Sequence, residues 1–176
     1  ASIGLTMSIF CAGTPSVAAT RELVTSLGIG ADDQVLGVRY RGRGWPGQMT
    51  VRYRSAETGE VAEASMSYER GWGDILQKHT QWRCRLCADH IGEHADLSIG
   101  DPWYRPIEPG DPGQSLVVVR TARGKKILRD AVAAGVLQLE PRSVATLAAS
   151  QPNLERTRGA VFGRSIAARL LGAAAP

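Results

Sequence analysis

The stretch Ser115-Leu116-Val117-Val118-Val119-Arg120 determines which class of fold this sequence can form. Its continuous apolar run predicts a strand that is covered on both faces, because a strand with one solvated face alternates polar and apolar residues. A helix is predicted over 122–134, where apolar residues recur at helical spacing, and Gly135 ends it. Since residues 136–139 predict another strand, the order strand, helix, strand indicates a βαβ unit with parallel strands.

The sequence on the N-terminal side of this stretch predicts a mixed α/β domain. A buried strand is predicted over 2–11, and the next helix, capped by Thr14 or Ser16, runs to about Leu27. Further strands are predicted over 34–40, 49–54, 61–66 and 95–100, with a hairpin turn at Glu57-Thr58-Gly59 and a short helix after residue 67. We therefore expect an α/β (mixed α+β) fold with a mixed β-sheet, flanking helices, an inserted hairpin and an inserted cysteine loop.

The C-terminal part of the chain predicts helices rather than more sheet. The pattern is helical from residue 143, with an interruption at Pro152. Its apolar stripe is formed by Val161, Phe162, Ile166 and Leu170. We expect one domain over 1–142 and a C-terminal helical extension over 143–176. Because Ala1 stands in place of a starting Met, we also expect the chain to be a domain of a longer protein.

The composition excludes several classes of protein. The 176 residues suit one domain of ordinary size, and no apolar run is long enough to span a membrane. The net charge of +4 is mild, and no nucleic-acid-binding motif is present, so we expect no nucleic acid partner. Three cysteines without a secretory signal argue against a disulfide scaffold and favour the reducing cytoplasm.

Two of the cysteines form Cys84-Arg85-Leu86-Cys87, a spacing that lets both thiolates bind one metal ion or cluster. Arg83 and Arg85 add positive charge, which favours thiolates and offsets the charge of a thiolate cluster. Cys11 can supply a third thiolate. A cluster with four protein ligands then needs its fourth from a missing region, another subunit or a residue other than cysteine.

The same segment leaves other chemistries open. Zinc bound by these cysteines with His90 and His94 is not a finger of the usual type, because only two residues separate Cys87 from His90. A zinc site that uses Cys11 and a histidine stays open. So do a dithiol redox pair, although the residues before Cys84 are not strand-like, and cysteines that only pack in the core.

Three segments carry a resemblance to a known family. They are Phe10-Cys11-Ala12-Gly13-Thr14-Pro15-Ser16, Tyr40-Arg41-Gly42-Arg43-Gly44-Trp45-Pro46-Gly47, and the stretch from Cys84 to Trp103, which includes Glu93-His94-Ala95-Asp96-Leu97-Ser98-Ile99-Gly100-Asp101-Pro102-Trp103. In this order they resemble the C-terminal domain of the coenzyme F420 hydrogenase/dehydrogenase beta-subunit family, to which plant 7-hydroxymethyl chlorophyll a reductase is similar. The resemblance runs from about Ser2 to Pro141, and its most specific part lies between Cys84 and Trp103.

The resemblance implies an iron–sulfur flavoprotein. Members of the family bind FAD and a 4Fe–4S cluster, and they pass electrons between a reduced deazaflavin (coenzyme F420) or a ferredoxin-type donor and an acceptor. The resemblance implies that Cys11, Cys84 and Cys87 ligate the cluster and that glycine-rich loops help to hold the flavin. Whole members carry further cysteines in an N-terminal region, so we expect that region or a redox partner protein to complete the site.

Other residues are candidates for the cofactor site, each with a structural alternative. Arg41, Arg43 and Trp45 lie in a glycine-rich loop that suits a pyrophosphate or is simply solvated. Arg120-Thr121 precedes a helix, where phosphate binding is favoured, or forms a plain turn. The remaining candidates for cofactor binding are Lys78, Gly100, Asp101 and Trp103, and His79 is the candidate catalytic proton donor to a reduced flavin.

These observations predict an oxidoreductase domain in which a cluster relays single electrons and a flavin handles electron pairs. The alternative is a non-catalytic scaffold or binding module for a partner subunit, which zinc stabilises or which holds no metal. A dithiol redox protein is a further possibility.

Overall fold

Residues 3–173 are described by a computed structural model, and they divide into two units along the chain. Unit 1 takes in the residues up to 12, residues 85–106 and the residues from 114 onward. Unit 2 takes in residues 13–84 and 107–113. One boundary falls between Cys84 and Arg85, so Cys84 belongs to unit 2 and Cys87 to unit 1.

The helices and strands are short and alternate along the chain. The strands are β1 (Met7–Ile9), β2 (Gln34–Arg39), β3 (Gln48–Arg54), β4 (Val61–Ser67), β5 (Leu97–Gly100) and β6 (Leu116–Val119). The α-helices are α1 (Val17–Ser26), α2 (Trp82–Arg85), α3 (Ala122–Ala133), α4 (Ala145–Ser150) and α5 (Pro152–Leu170). In addition, Glu69–Ile75 forms a π-helix and Leu76–His79 a 3-10 helix.

Unit 1 contains a mixed sheet in the order β1-β5-β6. β1 runs parallel to β5, with Met7 opposite Leu97, and β6 runs antiparallel to β5, with Val119 opposite Leu97. Helix α3 packs closely on the start of β5 through Gly124. A Cβ atom at that position would lie only 2.7 Å from the Asp96 carbonyl oxygen.

The carboxylate of Asp96 joins three segments of unit 1. Asp96 is 2% exposed and accepts hydrogen bonds from the backbone N–H and the hydroxyl of Thr6, both at 2.8 Å. The Thr121 hydroxyl donates to Asp96 at 2.5 Å and accepts the N–H of Gly124 at 3.1 Å, which caps α3. Arg123 forms an ion pair with the same carboxylate at 3.1 Å. This network fixes the starts of β5 and α3 against the segment that leads into β1.

Unit 2 contains the antiparallel sheet β2-β3-β4 and helix α1. Its core consists of the buried residues Ala19, Leu23, Met49, Met66, Ile75 and Leu76. These come from α1, β3, β4 and the π and 3-10 helices, so apolar burial holds these elements together.

The predicted α/β class is confirmed. The Ser16 hydroxyl accepts the Ala19 N–H at 3.3 Å and caps α1, as one of the two predicted caps. The predicted hairpin forms between β3 and β4, and Gly59 in its turn has a φ of +72°. The C-terminal helices α4 and α5 are separated next to Pro152, as predicted. The strands divide over two three-stranded sheets.

The predicted βαβ unit is wrong. Residues 136–139 form no strand, and Val136, Leu137 and Leu139 are exposed. β6 pairs antiparallel with β5 at the edge of its sheet, and Val119 on it is exposed, so β6 is also not covered on both faces. A short apolar run does not specify which strand it pairs with, nor in which direction.

The predicted burial of the first strand is also wrong, and most of the C-terminal apolar stripe is exposed. β1 covers only Met7–Ile9 of the predicted 2–11, and Ser2 lies outside the described residues. Met7 and Ile9 are exposed because β1 is an edge strand. In α5 the buried residues are Leu154 and Ala168, whereas Phe162, Ile166 and Leu170 are exposed. No helix within residues 3–173 combines the length and the apolar character needed to cross a membrane.

Candidate functional site

Cys84 lies in unit 2, on α2, next to the segment that begins at Gly13. The Thr14 backbone N–H donates to the Cys84 Sγ atom, with 3.3 Å between N and Sγ. The Gln81 N–H donates to the Thr14 carbonyl at 2.9 Å and holds this segment in place. Gly13 permits the approach, because a Cβ there would lie 3.2 Å from the Cys84 Cβ atom. A backbone donor of this kind stabilises negative charge on the sulfur.

Cys11 and Cys87 lie in unit 1. The Cys87 thiol donates to the Asp89 carbonyl at 3.3 Å, and the Cys11 backbone N–H donates to the His90 carbonyl at 2.9 Å. Cys11, Cys84 and Cys87 are all free thiols and all half-buried.

The loop after Cys87 is held by charged side chains of the same unit. The Asp89 carboxylate accepts the N–H groups of Ile91 at 3.3 Å and Glu93 at 2.9 Å. The Arg120 guanidinium donates to the carbonyls of Ile91 at 3.0 Å and Gly92 at 3.1 Å. These bonds satisfy backbone groups that follow His90 and so define the path of the loop.

His90 is a buried imidazole inside this loop. It is 4% exposed, and its Nδ1 atom lies 2.9 Å from the Cys11 carbonyl oxygen. Its Nε2 atom is buried and has no hydrogen-bond partner. His94, four residues later, is exposed. The position of both histidines after the cysteines makes them candidate ligands in the sequence, but that position does not distinguish His90 from His94.

Cysteine thiols and imidazole nitrogens are donor types that soft metal ions and iron–sulfur clusters take. Three half-buried thiols are available, one with a backbone N–H donor, together with one buried imidazole nitrogen. Within the part of the chain that the structure describes, no three histidine, cysteine or acidic side chains converge into a group that could hold a metal. The ligand roles of Cys11, Cys84 and Cys87 stay a prediction.

In the glycine-rich loop of unit 2, the residues that were predicted to bind a cofactor make contacts with other groups of the protein. The Arg41 guanidinium lies 5.1 Å from the centre of the Tyr68 ring and donates from Nε to the Pro46 carbonyl at 3.3 Å. Arg43 forms an ion pair with Glu63. Trp45 is buried.

Gly47 closes this loop. A Cβ at Gly47 would lie 2.4 Å from the Gly42 carbonyl oxygen, which also accepts the Gln48 N–H at 2.8 Å. The φ of Gly47 is +85°, a value that side-chain-bearing residues rarely adopt. Gly47 therefore has a structural reason that is independent of any cofactor.

An open cavity of about 320 Å³ adjoins the loop in unit 2. Its lining includes the side chains of Arg43, Glu69 and Glu108. Two carboxylates thus accompany one guanidinium that is already paired with Glu63. These carboxylates offset the positive charge of Arg43 at this cavity, and cofactor binding by Arg41, Arg43 and Trp45 stays a prediction.

Lys78 and His79 lie in the 3-10 helix of unit 2 and are exposed. The His79 Nε2 atom lies 2.8 Å from a Glu22 carboxylate oxygen. The imidazole therefore has a carboxylate partner that can orient it at the surface of this unit.

Arg120 and Thr121 join β6 to α3 in unit 1. Thr121 caps the helix and binds Asp96, and Arg120 holds the loop around His90. Their polar groups serve this structure, and phosphate binding at this point stays a prediction.

Gly100, Asp101 and Trp103 follow one another at the end of β5 in the same unit. A Cβ at Gly100 would lie 2.0 Å from the Phe10 ring, so the ring packs directly on the glycine backbone. The Asp101 carbonyl accepts the Gln151 side-chain amide at 2.8 Å, and Trp103 is half-buried. Gly100 thus meets a side chain of its own unit, and cofactor binding by these three residues stays a prediction.

Comparison with known proteins agrees with the resemblance seen in the sequence. The profile of a family described as the C terminus of the coenzyme F420 hydrogenase/dehydrogenase beta subunit matches residues 1–144. Over 64 residues the chain is 38% identical to a protein named coenzyme F420 hydrogenase subunit beta, from Methanothermobacter thermautotrophicus. This match covers 36% of the present chain and 20% of that relative.

Proposed function

The chain belongs to the coenzyme F420 hydrogenase/dehydrogenase beta-subunit family through its C-terminal domain, and from this premise we propose that it serves as a domain of an iron–sulfur flavoprotein. Membership supports an oxidoreductase-related role. The finer proposal is electron transfer between reduced coenzyme F420 or a ferredoxin-type donor and an acceptor, with a 4Fe–4S cluster and FAD.

The observation that carries the proposal is the set of free thiols at Cys11, Cys84 and Cys87 in a chain of this family. They would hold the cluster as thiolates. The Thr14 backbone N–H donates a hydrogen bond to the Cys84 Sγ atom. This bond would stabilise the thiolate and would favour the reduced state of a bound cluster. Arg83 and Arg85 flank the same thiol in the sequence and offset negative charge.

When bound, a flavin exchanges electron pairs with its donor and a cluster passes single electrons. In this chain His79 is proposed to hold a proton at its ring nitrogen, oriented by Glu22. The loop with Arg43 and Trp45 is already engaged with the protein, so no step is assigned to it. A partner subunit or another part of a longer protein would contribute further ligands.

The test is cofactor analysis of the chain after anaerobic reconstitution with iron, sulfide and FAD. We expect bound iron and acid-labile sulfide with visible absorption. Single replacements Cys11→Ser, Cys84→Ser and Cys87→Ser should each lower the iron affinity by more than the about 10–100-fold that the loss of a ligand's hydrogen-bond partner costs, because each removes a ligand itself. The triple replacement measures adventitious iron and is the matched blank.

Two results would overturn the proposal. One is wild-type protein that retains no more iron than the triple variant. The other is zinc in place of iron with no bound flavin, which would favour the scaffold alternative.

A further inference from the structure

Helix α5 has an exposed ridge with an apolar centre between two opposite charges. The ridge consists of Glu155, Gly159, Phe162, Ile166 and Arg169, at alternating steps of four and three residues. Residues at this spacing lie along one line of a helix, as in the seam between two paired helices. All five are exposed, Phe162 to 77% and Ile166 to 44%. We propose that this α5 ridge binds the α5 ridge of a second copy of the chain, with the two helices antiparallel.

A different face of α5 attaches the helix to unit 1. Leu154 and Ala168 are the buried residues of the helix. Arg158 forms an ion pair with Glu93 of the same unit. These contacts hold α5 in place without the ridge. Because exposed apolar patches with polar residues at their rim are typical of interaction surfaces, the ridge is available to another molecule.

The two charges identify the partner and its orientation. Glu155 and Arg169 each lie seven residues from Phe162, which is midway between them. When two copies of the helix pair in opposite directions about Phe162, Glu155 of each copy faces Arg169 of the other. A parallel pair instead brings each residue beside its own copy, with like charges at both ends. The ridge is therefore complementary to itself in the antiparallel orientation, as a two-fold symmetric interface requires.

The centre of the ridge also suits a second copy. The Phe162 rings of the two copies meet at the two-fold axis, and aromatic rings are enriched in the cores of interfaces. In this register Ile166 of one copy lies next to Gly159 of the other. No atom lies within 4 Å of the Cβ position of Gly159, so there is room for the incoming side chain. An anionic lipid surface would repel Glu155, so it fits the ridge less well than a second copy does.

The experiment measures self-association of the chain by analytical ultracentrifugation over about a hundredfold range of concentration. We expect a monomer–dimer equilibrium in the wild type. Glu155→Arg and Arg169→Glu should each raise the dissociation constant by about tenfold or more, because two attractive pairs become repulsive. Phe162→Ala should weaken the dimer as much, because it removes the centre of the interface. Glu57→Arg is the matched control, since it makes the same change of charge at an exposed position outside α5.

Two combinations of these variants test the orientation. The double variant Glu155→Arg/Arg169→Glu exchanges the two charges, so an antiparallel pair should regain the wild-type dissociation constant. Its recovery also shows that the single replacements act on the interface and not on folding. An equimolar mixture of the two single variants should form a mixed dimer, because every opposed charge pair in it is attractive.

Four results would overturn the proposal. The first is a wild-type chain that stays monomeric over the whole range, and the second is a dimer that Glu155→Arg weakens no more than Glu57→Arg does. The third is a double variant that fails to recover. The fourth is a monomeric chain that binds vesicles of phosphatidylcholine and phosphatidylserine, which would assign the ridge to a lipid surface. No iron or flavin enters the measurement, so its result is independent of the proposed function.

Discussion

At the scale of single residues, the Asp96 carboxylate is a group on which several hydrogen bonds and an ion pair of unit 1 converge. The hydrogen bond from Thr121, together with those from Thr6, holds the pKa of Asp96 well below its ordinary value of 3.8. The folded chain therefore stabilises the charged form. The stabilisation is complete above the unfolded-state pKa and is lost as the pH falls from there through the lower folded-state pKa.

We predict that Asp96→Asn lowers the free energy of unfolding at neutral pH. We also expect this free energy to fall less with decreasing pH in the variant than in the wild type. The amide keeps the shape but loses the charge that the Thr6 and Thr121 donors stabilise. Denaturant unfolding at about pH 7 and about pH 3 measures both effects. Asp130→Asn is the control, because Asp130 is exposed and paired with Lys126 in a surface ion pair worth about 0.5 kcal/mol. Equal acid dependence in Asp96→Asn and wild type would contradict the prediction.

At the scale of elements, the docking of α3 on β5 depends on the absence of a side chain at Gly124. A Cβ would lie 2.7 Å from the Asp96 carbonyl oxygen and 2.9 Å from the Leu97 Cδ2 atom. Alanine in a helix otherwise gains about 1 kcal/mol over glycine. The close contact with backbone costs about 1–3 kcal/mol and outweighs that gain.

We predict that two glycine replacements in helices change the free energy of unfolding in opposite directions. Gly124→Ala should lower the free energy of unfolding by up to about 2 kcal/mol. Gly159→Ala in α5 should raise it by about 0.5–1 kcal/mol, because no atom lies within 4 Å of its Cβ position. Denaturant midpoints measure both. If Gly124→Ala stabilises as much as Gly159→Ala, then α3 does not approach β5 as closely as described.

At the scale of the whole molecule, unit 2 has a contiguous apolar core, and in unit 1 a polar network around Asp96 joins segments that are distant in the chain. Leu23 is 0% exposed in that core, which joins α1 to β3 and β4. The chain also exposes many large apolar side chains, such as Leu170, which is 83% exposed. The position of each leucine in the fold, and not its residue type, therefore decides how much it contributes to stability.

We predict that Leu23→Ala lowers the free energy of unfolding by about 2–5 kcal/mol, since it removes buried methyl groups and leaves a cavity. Hydrogen exchange should show the loss of protection in α1, β3 and β4, which line the core. Leu170→Ala, the control with the same chemical change, should stay within about 0.5 kcal/mol of wild type. Similar losses in the two variants would contradict the described core.

The sequence by itself determined those features whose cause is local. The Ser16 cap, the turn at Gly59 and the break at Pro152 each depend on a side chain or a backbone preference within a few residues. The cysteine spacing and the family were likewise readable, because the motifs that carry them lie in the chain itself.

Only the tertiary structure decided how distant segments pair. The direction of β6 and the exposure of residues 136–139 depend on contacts made elsewhere in the fold, and the Asp96 network joins residues 90 positions apart in the chain. His90 and His94 look alike in sequence, yet His90 is buried with an unpaired nitrogen and His94 is exposed. Burial and hydrogen-bond partners arise from contacts between remote parts of the chain, and a local residue pattern carries no record of them.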